Sequence, residues 1–92
     1  MPFANSKWYD FWDTNWNEVG AVYGILTDKG YVIYIGQTEN LRERMADHRN
    51  SNHCMHGHSP RCVVVEVIGD EVSRLQRERQ LINHFDPPCN KV

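Results

Sequence analysis

Ninety-two residues with a formal charge of −2, 10 Lys and Arg against 12 Asp and Glu, make one small domain, residues 1–92, with a core of modest reach. No run approaches the ~18 apolar residues of a membrane span, and Met1–Asn5 lacks the charged-then-apolar pattern of a secretion signal. A cytoplasmic, intracellular protein without membrane contact is therefore expected, and its slight acidity argues against broad electrostatic capture of duplex DNA.

In chain order, Asn5–Asn17 comes first, with Trp8, Trp12 and Trp16 at every fourth residue and Tyr9 and Phe11 beside them. The spacing predicts an aromatic helical extension, residues 1–18, lying on a small sheet. The same aromatics could instead stack unpaired bases or form a dimer surface, although Asp10, Asp13 and Glu18 disfavour nucleic acid there. Next, Ala21–Leu26 and Tyr31–Ile35 are rich in β-branched and aromatic residues and flank the turn-forming run Thr27-Asp28-Lys29-Gly30. Pairing Leu26 with Tyr31 sets Tyr23 opposite Tyr34 on one face, with Cβ atoms ~5 Å apart. An odd loop with a bulge at the glycine changes that geometry unless the bulge restores it.

Gln37-Thr38-Glu39-Asn40 offers Thr38 or Asn40 as N-cap for a helix over Leu41–Arg49, whose buried side carries Leu41 and Met45. Arg44 and His48, one turn apart, lie within ~60° of that stripe. Then come His53, Cys54, His56, His58 and Cys62, dense enough in thiol and imidazole to raise a structural zinc site of Cys54, His56, Cys62 and a further ligand. The spacing is not a paired Cys-x-x-Cys pattern. A histidine-rich loop beside a substrate groove, or a histidine reaching the phosphate, are the alternatives. With Cys89 the chain has three cysteines, and in a reducing compartment they need no disulfide.

Cys62–Ile68 is apolar except at Glu66 and reads as the best-covered strand. A helix over Asp70–Phe85 opens on Asp70 and Glu71, as the helix dipole prefers, and carries an apolar stripe of Val72, Leu75, Leu81, Ile82 and Phe85. Glu78 falls within that stripe while Arg74 and Arg77 point elsewhere. A carboxylate so placed is costly unless it is paired, with Arg44 the expected partner, or holds a metal. Pro87 and Pro88 end the helix, and Cys89 and Asn90 follow. The expected fold class is α/β (α+β): a small three-stranded, mainly antiparallel sheet flanked by helices.

Taken together, Ala21-Val22-Tyr23, Tyr34-Ile35-Gly36, Arg44, His48, Glu78 in Glu-x-x-Leu-Ile and Asn90 in Pro-Pro-x-Asn resemble the GIY-YIG nuclease family in order and spacing, from about Val19 to Asn90. Ala21 stands where that family usually has glycine. The resemblance implies a metal-dependent endonuclease acting on DNA phosphodiesters, with one Mg²⁺ or Mn²⁺ on Glu78. It implies Tyr23 as general base, His48 to accept or relay the proton, Arg44 to clamp the phosphate, Tyr34 to position phosphate or water, and Asn90 as support near the metal.

Residue chemistry agrees with those roles. A hard cation needs only one or two carboxylates, and a planar guanidinium suits a phosphate. Tyrosine is a poor base until nearby cations lower its pKa. Which of Tyr23, Tyr34 and His48 takes the proton stays open, as does RNA in place of DNA. Arg42, Arg49 and Arg61 cluster around the first helix and are expected to touch substrate. The chain has no room for a separate DNA-recognition module, so a targeting protein partner or a homodimer is expected. The alternatives are a non-catalytic nucleic-acid- or protein-binding module on the same fold, and an adaptor organised by the His/Cys loop.

Overall fold

The computed structural model describes Phe3, residues 7–50 and residues 54–90; His53 lies outside them. Strands β1 (Lys7–Asp10), β2 (Ala21–Leu26) and β3 (Val32–Thr38) precede helix α1 (Leu41–Asn50). A 3₁₀ turn (Cys54–His58), strand β4 (Cys62–Val67), helix α2 (Glu71–Phe85) and a second 3₁₀ turn (Pro88–Asn90) follow. The strands form one sheet in the order β1-β4-β2-β3, and every neighbouring pair is antiparallel. The expected fold class holds, with a fourth strand added.

That fourth strand comes from the segment expected to be helical. Lys7–Asp10 pairs with β4 along its outer edge instead. Asp10 then ends the strand by accepting the Trp12 N–H at 2.8 Å, and Asp13 repeats the turn with the Asn15 N–H at 3.0 Å. Trp16 is buried and donates from Nε1 to the Asp13 carbonyl at 2.6 Å, whereas Trp8 and Trp12 are each 52% exposed. A helix burying a stripe at every fourth residue would have covered all three.

The sheet is covered on both sides, which is why all six residues of β2 are buried. One face carries Ala21, Tyr23, Ile25, Ile33, Val63 and Val65, packed with Met45 of α1, Met55, and Phe11 and Trp16 of the N-terminal segment. The other carries Val22, Leu26, Ile35 and Val64 against Leu81, Ile82 and Phe85 of α2. β4 lies inside the sheet, as its apolar run suggests, and β3 is left as an edge. Among the described residues no helix is long and apolar enough to cross a membrane.

Candidate active site

The hairpin register brings the two tyrosines together by a different route from the simple pairing. Tyr23 faces Gly36 and Tyr34 faces Ile25, with the register shifting between Ile25 and Leu26. Leu26 pairs with Val32 rather than Tyr31, so the connection is one residue longer, and Ile33 is the extra residue of a bulge. Two one-residue slips restore the face. Tyr23 and Tyr34 are therefore diagonal neighbours on the α1 side, with ring centroids 6.2 Å apart. Gly30, at φ 85°, supplies the left-handed step that the turn requires.

Gly36 is the consequence of that diagonal. The Tyr23 ring lies across it, and a Cβ at this position would stand 2.5 Å from the Tyr23 hydroxyl oxygen. Any side chain at 36 would push the phenol aside. Tyr23, 1% exposed, instead reaches the Nε2 of His48 on α1 at 2.7 Å. The His48 ring also stands 5.6 Å from the Tyr34 ring, so two phenols and an imidazole form one closed group.

Helix α1 positions the histidine. Asn40 caps it, accepting the Glu43 N–H on its side chain, while Thr38 in turn accepts the Asn40 N–H. Leu41, Met45 and His48 face inward. Arg44, one turn before His48, is exposed at the mouth of a groove of about 350 Å³ between α1, the end of β3 and α2, where Glu43, Asp47, Glu71 and Arg74 also line the wall.

Helix α2 lies differently from its apolar pattern. Val72 and Leu75 are 63% and 45% exposed, while Arg74 is buried. The reason is polar satisfaction: Arg74 donates to the carbonyls of Ile68 and Gly69 and to the Gln37 side chain, capping the loop before the helix. Arg77 likewise faces the sheet, gripping both carboxylate oxygens of Glu66 at 2.9 Å. Leu81, Ile82 and Phe85 then cover the sheet's other face. Asp70 is the N-cap and Asp86, in the left-handed region, closes the helix.

The edge of β3 is where the two helical layers meet. Asn90 binds Ile35 reciprocally, its Oδ1 accepting the Ile35 N–H and its Nδ2 donating to the Ile35 carbonyl, each at 2.8 Å. Two residues along, the Gln37 N–H donates to the Glu78 carboxylate. Asn90 thus supports the strand between Tyr34 and Gly36. Gln37 and Arg74, which no catalytic motif singled out, hold α2 against the same strand.

Electrostatics sharpen the arrangement. Burial raises the Tyr23 hydroxyl far above the phenol range, with Tyr34 and Glu78 adding to the rise and Arg44 opposing it. Tyr34 is also raised by burial, again opposed by Arg44. Arg44 does pull the Tyr23 hydroxyl down, as expected of a nearby cation, but the cost of a buried phenolate exceeds that attraction.

Burial raises the Glu78 carboxyl too, against the Gln37 N–H. Among the described residues the ion pairs are Arg42–Glu18 and Arg77–Glu66, so the expected partnership of Glu78 with Arg44 is not formed. A half-buried carboxylate with no cationic partner among the described residues fits a hard divalent cation, which would offset its desolvation.

The remaining candidates fall elsewhere. Arg42 donates to the Trp16 carbonyl at 2.7 Å and Arg49 to the Asp13 carbonyl at 3.0 Å, tying the N-terminal segment to α1. Arg61 is exposed beside β4. In the His/Cys loop Cys54 forms a disulfide with Cys89, 35 residues away, and Cys62 stays free in β4, so the cysteines do pair and Cys54, His56 and Cys62 do not gather as one ligand set. His56 contacts the His48 carbonyl at 2.6 Å.

A profile of the GIY-YIG catalytic domain family matches residues 19–91. The UvrABC system protein C of Parafrankia sp. is 33% identical over 79 residues, covering 79% of this chain. That of Beutenbergia cavernae is 31% identical over 76 residues, covering 76%. In both cases the match spans 11% of the relative's length. Among solved structures, the GIY-YIG N-terminal endonuclease domain of UvrC from Thermotoga maritima, a point mutant bound to its catalytic divalent cation, superposes with a TM-score of 0.74 and 26% identity. The superposition covers 86% of this chain and 90% of the other. A second point mutant of that domain matches equally in fold at 24% identity.

Proposed function

This chain belongs to the GIY-YIG catalytic domain family and is an endonuclease, a phosphodiester hydrolase, and from that premise we propose that it cuts DNA with one divalent cation on Glu78 and a Tyr23–His48 proton relay. The observation that carries the relay is the 2.7 Å contact between the Tyr23 hydroxyl and His48 Nε2, both buried. Magnesium or manganese is the cation, since a single carboxylate leaves most of its shell to water and phosphate oxygens.

Bound at Glu78, that cation would neutralise phosphate charge and stabilise the leaving oxygen. The residues do the rest. Arg44, at the groove mouth, donates to the phosphate and stabilises the charge that develops in the transition state. Tyr34, partly exposed, orients the phosphate or the attacking water with its hydroxyl. Tyr23 takes the proton of that water while giving its own to His48. Concerted transfer fits the raised Tyr23 pKa, because a standing phenolate is disfavoured and an adjacent acceptor avoids it. His48 Nε2 accepts in the tautomer that carries its proton on Nδ1. Asn90 acts through the β3 backbone and is a positioning residue.

We place its action inside the cell, with a targeting protein partner as part of the proposal. Four carboxylates stand beside two arginines on the groove wall, which weakens DNA affinity without the cation. The test is a cleavage panel of supercoiled plasmid, branched duplex, single-stranded DNA and RNA, with Mg²⁺, Mn²⁺ or chelator. Cation-dependent cutting of a DNA member is expected. Folded protein that cuts only RNA, or cuts DNA equally well in chelator, would overturn the proposal.

A further inference from the structure

The geometry points to a second metal site, separate from Glu78: we propose that Cys54, His58 and Cys89 bind zinc when the Cys54–Cys89 bridge is reduced. One donor atom from each residue lies within 4.8 Å of the other two, and these three form the group with metal-ligand spacing found among the described residues. A tetrahedral zinc with bonds of ~2.0–2.3 Å needs its donors in such a cluster. Two thiolates and an imidazole also select zinc over the magnesium or manganese that suits Glu78. Cys54 and His58 are exposed, so water reaches the cluster and can complete the shell, while Cys89 is buried and anchors it.

The donors come from distant parts of the chain. Cys54 and His58 sit at the two ends of the first 3₁₀ turn and Cys89 in the second, each turn fixed independently of the cluster. His56 of the first turn contacts the His48 carbonyl, and Asn90 of the second grips Ile35. A link between the turns therefore joins the end of α1 to the edge of β3. A disulfide makes that link in oxidising conditions, and such bridges open in a reducing compartment. Reduction by a dithiol or a thiol–disulfide oxidoreductase delivers two electrons and two protons, giving two thiols. Zinc then displaces both protons as it takes the thiolates. The two states exclude each other, and either one holds the turns together.

The experiment is zinc titration of the whole chain, with the bridge intact and after reduction by a phosphine, against a chromogenic chelator. Cobalt substitution reads thiolate ligation from its charge-transfer absorption. The reduced chain should bind one zinc and the oxidised chain none. Even outer-shell changes cost 10–100-fold at metal sites, so His58→Ala should weaken binding by at least about tenfold. His58 is exposed, which keeps that variant folded where Cys89→Ser fails. Glu78→Ala should leave zinc affinity unchanged, so the result stands apart from the nuclease proposal. Absence of zinc binding by folded reduced protein would overturn the site. So would affinity unaffected by both His58→Ala and Cys89→Ser, or lost with Glu78→Ala.

Discussion

Tyr23 is the residue on which both halves of the proposed chemistry bear. Its ring needs the space left by Gly36, and its hydroxyl needs His48. Removing the hydroxyl alone should abolish the relay while leaving the ring packed. Tyr23→Phe should then lower kcat by about a hundredfold or more, the usual scale of a lost acid–base group, with substrate binding nearly unchanged. His48→Ala, which removes the acceptor, should lower kcat on the same scale, and combining it with Tyr23→Phe should cost little more than either change alone. Single-turnover rates of the three variants measure this; additive losses would move the acceptor role to another group.

Glu78 gives a second prediction at this scale, readable without substrate. Its carboxyl is raised above the ordinary 4.5 by burial. A raised carboxylate stabilises the fold while protonated and opposes it once ionised. In chelator, Glu78→Gln should therefore be more stable than wild type at pH 7. The advantage should shrink as pH falls through the raised value and vanish below about 4.5. Chemical denaturation across that pH window measures it, and a destabilised Glu78→Gln at pH 7 would contradict the account. The sequence made Glu78 visible as a carboxylate within the apolar stripe of the second helix. Its partner was not legible, because the Gln37 N–H is a backbone group exposed only by β3 being an edge.

At the level of elements, local pattern and tertiary demand disagreed in instructive places. Trp8, Trp12 and Trp16 have helical spacing, but the open edge of β4 offered Lys7–Asp10 a ladder, and aromatics suit strands as well as helices. In α2 the apolar residues Val72 and Leu75 lost the inward face to Arg74 and Arg77. Unsatisfied carbonyls and a carboxylate on the sheet outweigh two aliphatic side chains. That ranking can be tested on the Arg77–Glu66 pair. Arg77→Met should cost about 2 kcal/mol by removing the two charge-assisted bonds that it donates to Glu66. The double variant Arg77→Met, Glu66→Leu should recover most of the loss, since an apolar pair can replace an ion pair of similar volume. Thermal unfolding of the three variants forms the cycle; equal losses in single and double variants would show that packing, not charge, sets the rotation of the helix. The hairpin was legible to the face but not to the register, because a longer connection and a bulge cancel only in three dimensions.

Across the whole molecule, the catalytic candidates are spread over β2, β3, α1, α2 and the last 3₁₀ turn, and the sheet edge is what gathers them. Motif order announced the members; the edge position of β3 and the covering of both sheet faces supplied the assembly. The Cys54–Cys89 pairing was beyond sequence reasoning for the same reason, since 35 residues separate two turns that meet only beside β3. Charge is also a whole-molecule property here. Carboxylates in the groove oppose DNA while the cation site lies empty, so Glu43→Lys should tighten metal-free DNA binding, with a steeper salt dependence. Fluorescence anisotropy at several salt concentrations reads both, and unchanged affinity would place the DNA path elsewhere.

The central claim is that Glu78 holds the cation on which cleavage depends. Single-turnover cleavage of plasmid DNA by wild type and Glu78→Ala, each shown folded by circular dichroism and each given Mg²⁺ or Mn²⁺, tests it most directly. Cutting by the wild type alone is the predicted result. Equal cutting by both proteins would contradict it and remove Glu78 from the chemistry.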